Sequence, residues 1–247
     1  MVQFFEEISP SLGKWIDQQQ VFWVATSPLA RDGHINVSPK GGQGMFHIIN
    51  SRQVWYEDLT GSGVETISHL RENGRITILF NAFEGPPRIA RLYGRGTVYE
   101  FGTPEYDNFI PAESRKPGTR SVIVVDVHKV STSCGYAVPF FDFKAHRTRL
   151  LTWAAKKESA DCDSKDSGLV DGLKRYWNQA NLKSIDGLDG LTVAPYTSES
   201  FPVKKISYQA DNESTGPRFK TAGGGMNVLL GFTLGILVAS LYIRVSR

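Results

Sequence analysis

Between Gln53 and Glu100 the chain reads as a strand, a glycine-rich turn, a short helix and two further strands, and this stretch constrains the fold most. An aromatic strand over Gln53–Asp58 ends in a carboxylate pair, Glu57-Asp58, and passes into Thr60-Gly61-Ser62-Gly63. Ser62 and Glu65 have the spacing of a capping box, and Val64, Ile67 and Leu70 put apolar side chains on one side of the helix that follows. Asn73-Gly74 predicts its end, because glycine takes a positive φ without strain. Strands over Arg75–Phe83 and Arg88–Glu100 follow, joined by Glu84-Gly85-Pro86-Pro87. Parallel strands need long crossovers. Strands joined by short turns predict an antiparallel barrel or sandwich instead.

The flanks extend the pattern. Ser9-Pro10 predicts the cap and first residue of a helix with Leu12, Trp15 and Ile16 on one side. Val21–Thr26 is apolar and β-rich, Arg31-Asp32-Gly33 is a hairpin signal, and His34–Ser38 returns, ending at Pro39-Lys40-Gly41-Gly42. Pro104–Phe109 predicts a short helix, and Ser121–Val130 is the strongest strand in the chain. Beyond it, Ser133-Cys134-Gly135-Tyr136 is turn-rich. Arg149–Lys157 and Leu169–Ala180 predict helices separated by a polar loop over Glu158–Gly168. That makes six strands and a mainly β, α+β domain over residues 1–197.

Residues 198–222 are polar and rich in Gly, Ser and Lys, and they read as a linker. Met226–Ile243 is 18 residues without a charge, close to the roughly 20 needed to cross a bilayer core. A transmembrane helix is therefore expected over 223–243. Arg244 and Arg247 follow it, and no N-terminal signal is present. Together these imply a tail anchor with the barrel facing the cytosol.

Composition narrows the function classes. The net charge of +3 is dispersed, with no basic block interleaved with aromatics, so nucleic acid is not an expected partner. The five histidines share no ligand spacing, so no metal is expected. Two cysteines, Cys134 and Cys162, make no disulfide framework and fit a reducing compartment. The chemistry expected of the turn is anion binding. A helix N-terminus has free N–H groups and a partial positive charge, and glycines let a ligand approach the backbone. The competing reading is a plain capped helix, with Glu65 already satisfying the positive end.

Four segments together resemble the pyridoxamine 5′-phosphate oxidase-like family of FMN-binding split barrels. They are Asn36-Val37-Ser38-Pro39-Lys40-Gly41, Asp58-Leu59-Thr60-Gly61-Ser62-Gly63, Phe83-Glu84-Gly85-Pro86-Pro87-Arg88 and Leu92-Tyr93-Gly94-Arg95-Gly96. Ser133-Cys134-Gly135-Tyr136 and Ser184-Ile185-Asp186-Gly187-Leu188 resemble later motifs of one uncharacterised branch. The resemblance implies a six-stranded Greek-key barrel, a homodimer, and FMN at the subunit interface. It gives Lys40 a flavin contact, with Val37 and Ser38 offering backbone to the ring. Ser62 and Gly63 stand where the family's phosphate segment has a basic pair, so phosphate would depend on backbone N–H groups, Ser62 and an arginine from elsewhere. Arg88 and Arg91 correspond to the family's Arg-Gln-Val-Arg, with Ile89 in place of the flavin-contacting Gln. The Trp and Arg that close the oxidase's substrate site have no counterpart. The implied function is an FMN-dependent oxidoreductase acting on a small molecule. The alternative is a membrane-tethered module that holds flavin or haem without turnover.

Overall fold

The computed structural model describes residues 2–163 and 171–202. The chain divides into two compact units, Met1–Ser207 and Tyr208–Arg247, and every described residue belongs to the first. The expected membrane segment, 223–243, and most of the expected linker lie outside the described residues. Among the described residues no helix is long and apolar enough to cross a membrane.

Eight strands, all antiparallel, form one sheet: β1 Gln3–Phe5, β2 Phe22–Thr26, β3 Asn36–Lys40, β4 Phe46–Asn50, β5 Gln53–Leu59, β6 Arg75–Asn81, β7 Ile89–Glu100 and β8 Thr119–Ser133. Their order is β3-β2-β6-β7-β8-β5-β4, with β1 paired to the far end of β8. The six expected strands are all present, and β1 and β4 correct the count to eight. β1 is three residues, too short to show a period, and the five residues of β4, Phe46-His47-Ile48-Ile49-Asn50, do not alternate apolar with polar. β1 is exposed throughout and β4 is only partly buried, so pairing with β8 and β5, not apolar patterning, makes them strands.

The sheet curls onto itself. β2 and β4 stand near opposite ends of the strand order, yet the rings of Phe22 and Phe46 are 5.1 Å apart. Phe46 also meets Phe80 of β6 at 5.0 Å, and Phe22 meets Tyr56 of β5 at 5.4 Å. One face of the sheet thereby becomes the interior of a barrel. β8 runs through its middle. Val122, Ile123 and Val125 are fully buried there, which suits a β-branched run with a strand on each side. Opposite Tyr93 and Gly94 the register skips His128, a bulge in β8, and the backbones close up so far that a Cβ on Gly94 would run into Val125 and the Asp126 carbonyl.

β3 runs through Pro39, which pairs with Trp23, and ends at Lys40 rather than at Ser38. The proline is tolerated because β3 is an edge strand, where a missing N–H breaks no ladder. This extra length sets the position of Lys40.

The helices cover the barrel. α1, Pro10–Ile16, starts as expected: Ser9 Oγ accepts from the Leu12 N–H at 3.2 Å. α2, Glu65–Asn73, buries Ile67 and Leu70 and ends on Gly74 at φ 70°. The expected capping box does not form, because Val64 is the N-cap and no side chain caps the helix. α3 is Pro104–Phe109. α4, Arg149–Asp163, extends past the expected end at Lys157, so Glu158 is a buried helical residue and not part of a loop. Its carboxylate accepts from Arg115 Nη1 and from the Gly118 N–H, both at 2.8 Å. α5, Leu173–Ala180, buries Leu173 and Trp177, one turn apart. Phe201 is buried and stacks on Phe101 at 5.0 Å, so the folded unit continues at least to that residue.

Candidate functional site

The site grows from the end of β5. Asp58 points into the barrel and is fully buried. Its Oδ1 accepts from Lys40 Nζ at 3.0 Å, and its Oδ2 accepts from Arg120 Nε at 2.8 Å and from Ser121 Oγ at 3.2 Å. Burial alone would raise the Asp58 pKa. Arg120 and Lys40, by charge and hydrogen bond, outweigh it and bring the carboxyl down to about 2. The cluster therefore holds two cations on one anion. Arg120 is 3 % exposed and Lys40 22 %, so the excess positive charge reaches solvent at Lys40.

The same arginine supports the glycine-rich turn, since Arg120 Nη1 donates to the Gly63 carbonyl at 3.0 Å. Thr60 is held by its own N–H and hydroxyl on the Gly118 carbonyl, both at 2.7 Å. Trp177 Nε1 donates to Thr60 Oγ1 at 2.8 Å, and Asn181 Nδ2 donates to the Gly61 carbonyl at 3.0 Å. Carbonyls of the turn are thus fastened from below, while Ser62 and Gly63 stay exposed. Lys40, Ser62 and Gly63 are brought to one place through Asp58 and Arg120. An arginine outside the expected set, Arg120, reaches the turn, but it is buried and committed to Asp58 and Gly63.

One carboxylate lies at the start of α2, and a second lies on the segment that packs against it. Glu65 folds back so far that a Cβ on Gly63 would overlap its carboxylate, and its Oε1 accepts from the Ile185 N–H at 3.3 Å. Asp186, next in sequence to Ile185, clasps His34 ahead of β3. Its Oδ2 accepts from the His34 N–H at 2.8 Å and its Oδ1 meets His34 Nδ1 at 2.6 Å. A carboxylate only accepts, so Nδ1 carries the proton. The segment Ser184-Ile185-Asp186-Gly187-Leu188 is therefore a strap joining the β3 side to α2. Its own turn is closed by Gly187 N–H to the Ser184 carbonyl at 2.9 Å. Below the strap, Asn36 Nδ2 donates to Thr26 Oγ1 and Thr66 Oγ1, and His69 Nδ1 is 3.0 Å from Thr26 Oγ1.

The His34–Asp186 clasp predicts a pH dependence. The Asp186 hydrogen bond and charge raise the His34 pKa above 6.5, and His34 lowers that of Asp186 below 3.8. A raised histidine adds stability below 6.5 that is lost as pH rises through its folded value. A depressed aspartate adds stability above 3.8 that is lost as pH falls through its folded value. The strap is accordingly tightest between these limits. A histidine proton NMR titration should show His34 titrating above 6.5, and Asp186→Asn should bring it back.

Val37 and Ser38 lie on β3, whose outer edge has no strand partner among the described residues. Arg88 and Arg91 are not brought to Lys40 within one chain. Arg88 lies over the Trp15 ring at 5.4 Å. Arg91 stands in one cross-strand row with Leu79, Trp23 and Pro39, the residue beside Lys40. Successive residues of a strand face opposite ways, so Arg91 is on the outer face while Lys40 reaches inward. Arg120, Ser121, His34 and Trp177 were not legible as site residues. Their partners lie tens of residues away, and no local pattern marks them.

The sequence has counterparts. The family description "Pyridoxamine 5'-phosphate oxidase" matches residues 8–134. The pyridoxamine 5'-phosphate oxidase family protein ustO of Aspergillus flavus is 38% identical over 200 residues, covering 76% of this chain and 77% of that protein. Among solved structures, HupZ of Group A Streptococcus superposes with a TM-score of 0.41 at 22% identity, over 50% of this chain and 91% of that one. An FMN-binding protein of Syntrophomonas wolfei does so with a TM-score of 0.31 at 14% identity, over 47% and 77%. With its matched segment spanning β2 to β8 and a fungal relative aligned along three quarters of its length, the chain belongs to the pyridoxamine 5'-phosphate oxidase family.

Proposed function

We propose that the protein binds a flavin at the end of β3 and uses it as an oxidoreductase on a small molecule. The observation that carries this reading is Lys40, an ammonium fixed on a fully buried carboxylate at the end of an edge strand. An edge strand offers the unpaired backbone N–H and C=O groups of every second residue, here those of one of Val37 and Ser38. Both features suit a planar ring with polar edges. A bound flavin supplies the hydride and electron chemistry, while the protein supplies orientation and electrostatics. Lys40 would favour the negative charge that a flavin ring gains on reduction. Asp58 and Arg120 hold that lysine in place.

The family resemblance implies FMN, with its phosphate at Ser62-Gly63. The ring end of the site fits. The phosphate end does not, because the Glu65 carboxylate already occupies the turn.

Lys40→Ala is expected to weaken flavin binding at least about tenfold, the scale of one charge-assisted hydrogen bond. Flavin fluorescence quenching by the apoprotein measures this directly. Unchanged affinity in a variant that melts like the parent would remove Lys40 from the site. We also take the protein to be a homodimer with the flavin bridging its subunits, which is the arrangement by which Arg88 and Arg91 could join a site they do not reach within one chain. Sedimentation of a monomer with stoichiometric flavin would refute this.

We take the uncharged run before Arg244 as a membrane-spanning segment over 223–243, joined by a linker to the barrel, which we place on the cytosolic side. Added protease should remove the barrel from intact organelles, and truncation at Ala222 should release it from the membrane fraction. A barrel protected until detergent is added would reverse the orientation.

A further inference from the structure

We infer that Glu65, aided by Asp186, makes this site select a flavin without a terminal phosphate monoester, of the riboflavin type, over FMN. The inference rests on the flavin reading above and specifies its ligand. The start of α2 is where the family resemblance puts the phosphate. An N-terminus of this kind suits an anion only while its N–H groups and positive end are free. Here the helix carries its own anion. Glu65 is the first residue of α2, and its carboxylate folds back over Gly63.

The strap holds that arrangement. The Ile185 N–H donates to Glu65 Oε1, and Asp186 stands beside it with both oxygens committed to His34. Lys40 and Arg120 share Asp58, and the one positive charge they leave over is at Lys40, the ring end of the site; His34 pairs with Asp186, so the negative charge at the turn itself is that of Glu65. Ser62 and Gly63 replace a basic pair, so the turn itself adds no positive charge. A dianionic phosphate would meet like charge at close range, where the interaction is worth a factor of ten or more in affinity. A ribityl chain ending in a hydroxyl is neutral and meets no such penalty.

The test is a pair of titrations of the full-length apoprotein, with riboflavin and with FMN, followed by flavin fluorescence at one ionic strength. The parent should bind riboflavin at least as tightly as FMN. Glu65→Gln keeps an acceptor for the Ile185 N–H and removes the charge. It should tighten FMN about tenfold and leave riboflavin within about twofold. Asp186→Asn should move the ratio in the same direction by less, and it stands in if Glu65→Gln does not fold. A parent that prefers FMN by tenfold or more overturns the inference and leaves the flavin reading intact. So does a ratio unmoved in the folded variants. Binding of neither flavin overturns both.

Discussion

Asp58→Asn should destabilise the protein by about 3–5 kcal/mol, the usual cost of breaking a buried ion pair from one side. The carboxylate is fully buried and serves three donors, Lys40, Arg120 and Ser121. Asparagine can still accept hydrogen bonds, but it leaves Arg120, 3 % exposed, without a counter-charge. For a domain of this size about 1 kcal/mol corresponds to roughly 2–4 °C in melting temperature, so a drop of about 6–20 °C should be seen by thermal denaturation. The effect has a pH signature. The parent's Asp58 carboxyl titrates at about 2 instead of 3.8. Its share of stability is therefore complete above the ordinary value and lost as pH falls from about 4 toward 2. The gap between the parent and Asp58→Asn should narrow over that range by about 2.5 kcal/mol. A variant that melts within 2 °C of the parent at neutral pH, an order-of-magnitude bound for an unimportant pair, would show that the cluster does not organise the site.

Trp177→Ala should cost a comparable amount, about 3–5 kcal/mol, because it empties a fully buried aromatic position. Trp177 packs on Phe101 and Phe201 at 6.1 and 5.8 Å between ring centroids and donates to Thr60. The loss should be felt at the glycine-rich turn as well as in the global melt. Trp177→Phe separates the two contributions. It keeps most of the apolar volume and loses the hydrogen bond to Thr60, so about 1 kcal/mol is expected. Amide hydrogen exchange at Thr60–Gly63 should quicken in both variants. If only the global stability changed and exchange at the turn did not, α5 would be a cover for the core and not a support of the turn.

The legible parts of this protein are those in which adjacent residues carry the signal. Period, caps and breakers are local. The six expected strands, the Ser9-Pro10 start of α1 and the Gly74 stop of α2 therefore follow from the sequence. The family follows too, because its turn and strand-end motifs are contiguous runs. Lys40 could be singled out for the same reason.

Only the tertiary structure decided what surrounds Lys40. The curl that sets β3 against β5 places Asp58 under the lysine, and the register of β8 on β5 places Arg120 and Ser121 beside it. Glu65 has the spacing of a capping residue. What it meets is decided by a strap more than a hundred residues later, which presents the Ile185 N–H to its carboxylate. β1 and β4 are strands only because β8 and β5 offer them an edge. Arg88 and Arg91 are close to one another in sequence, yet the two-residue alternation of β7 and its row across the sheet put Arg91 on the face away from Lys40. Spacing along the chain determines which way a side chain leaves its own element. What it meets there depends on which distant element packs against that face, and this is settled by the summed burial and pairing of the whole barrel.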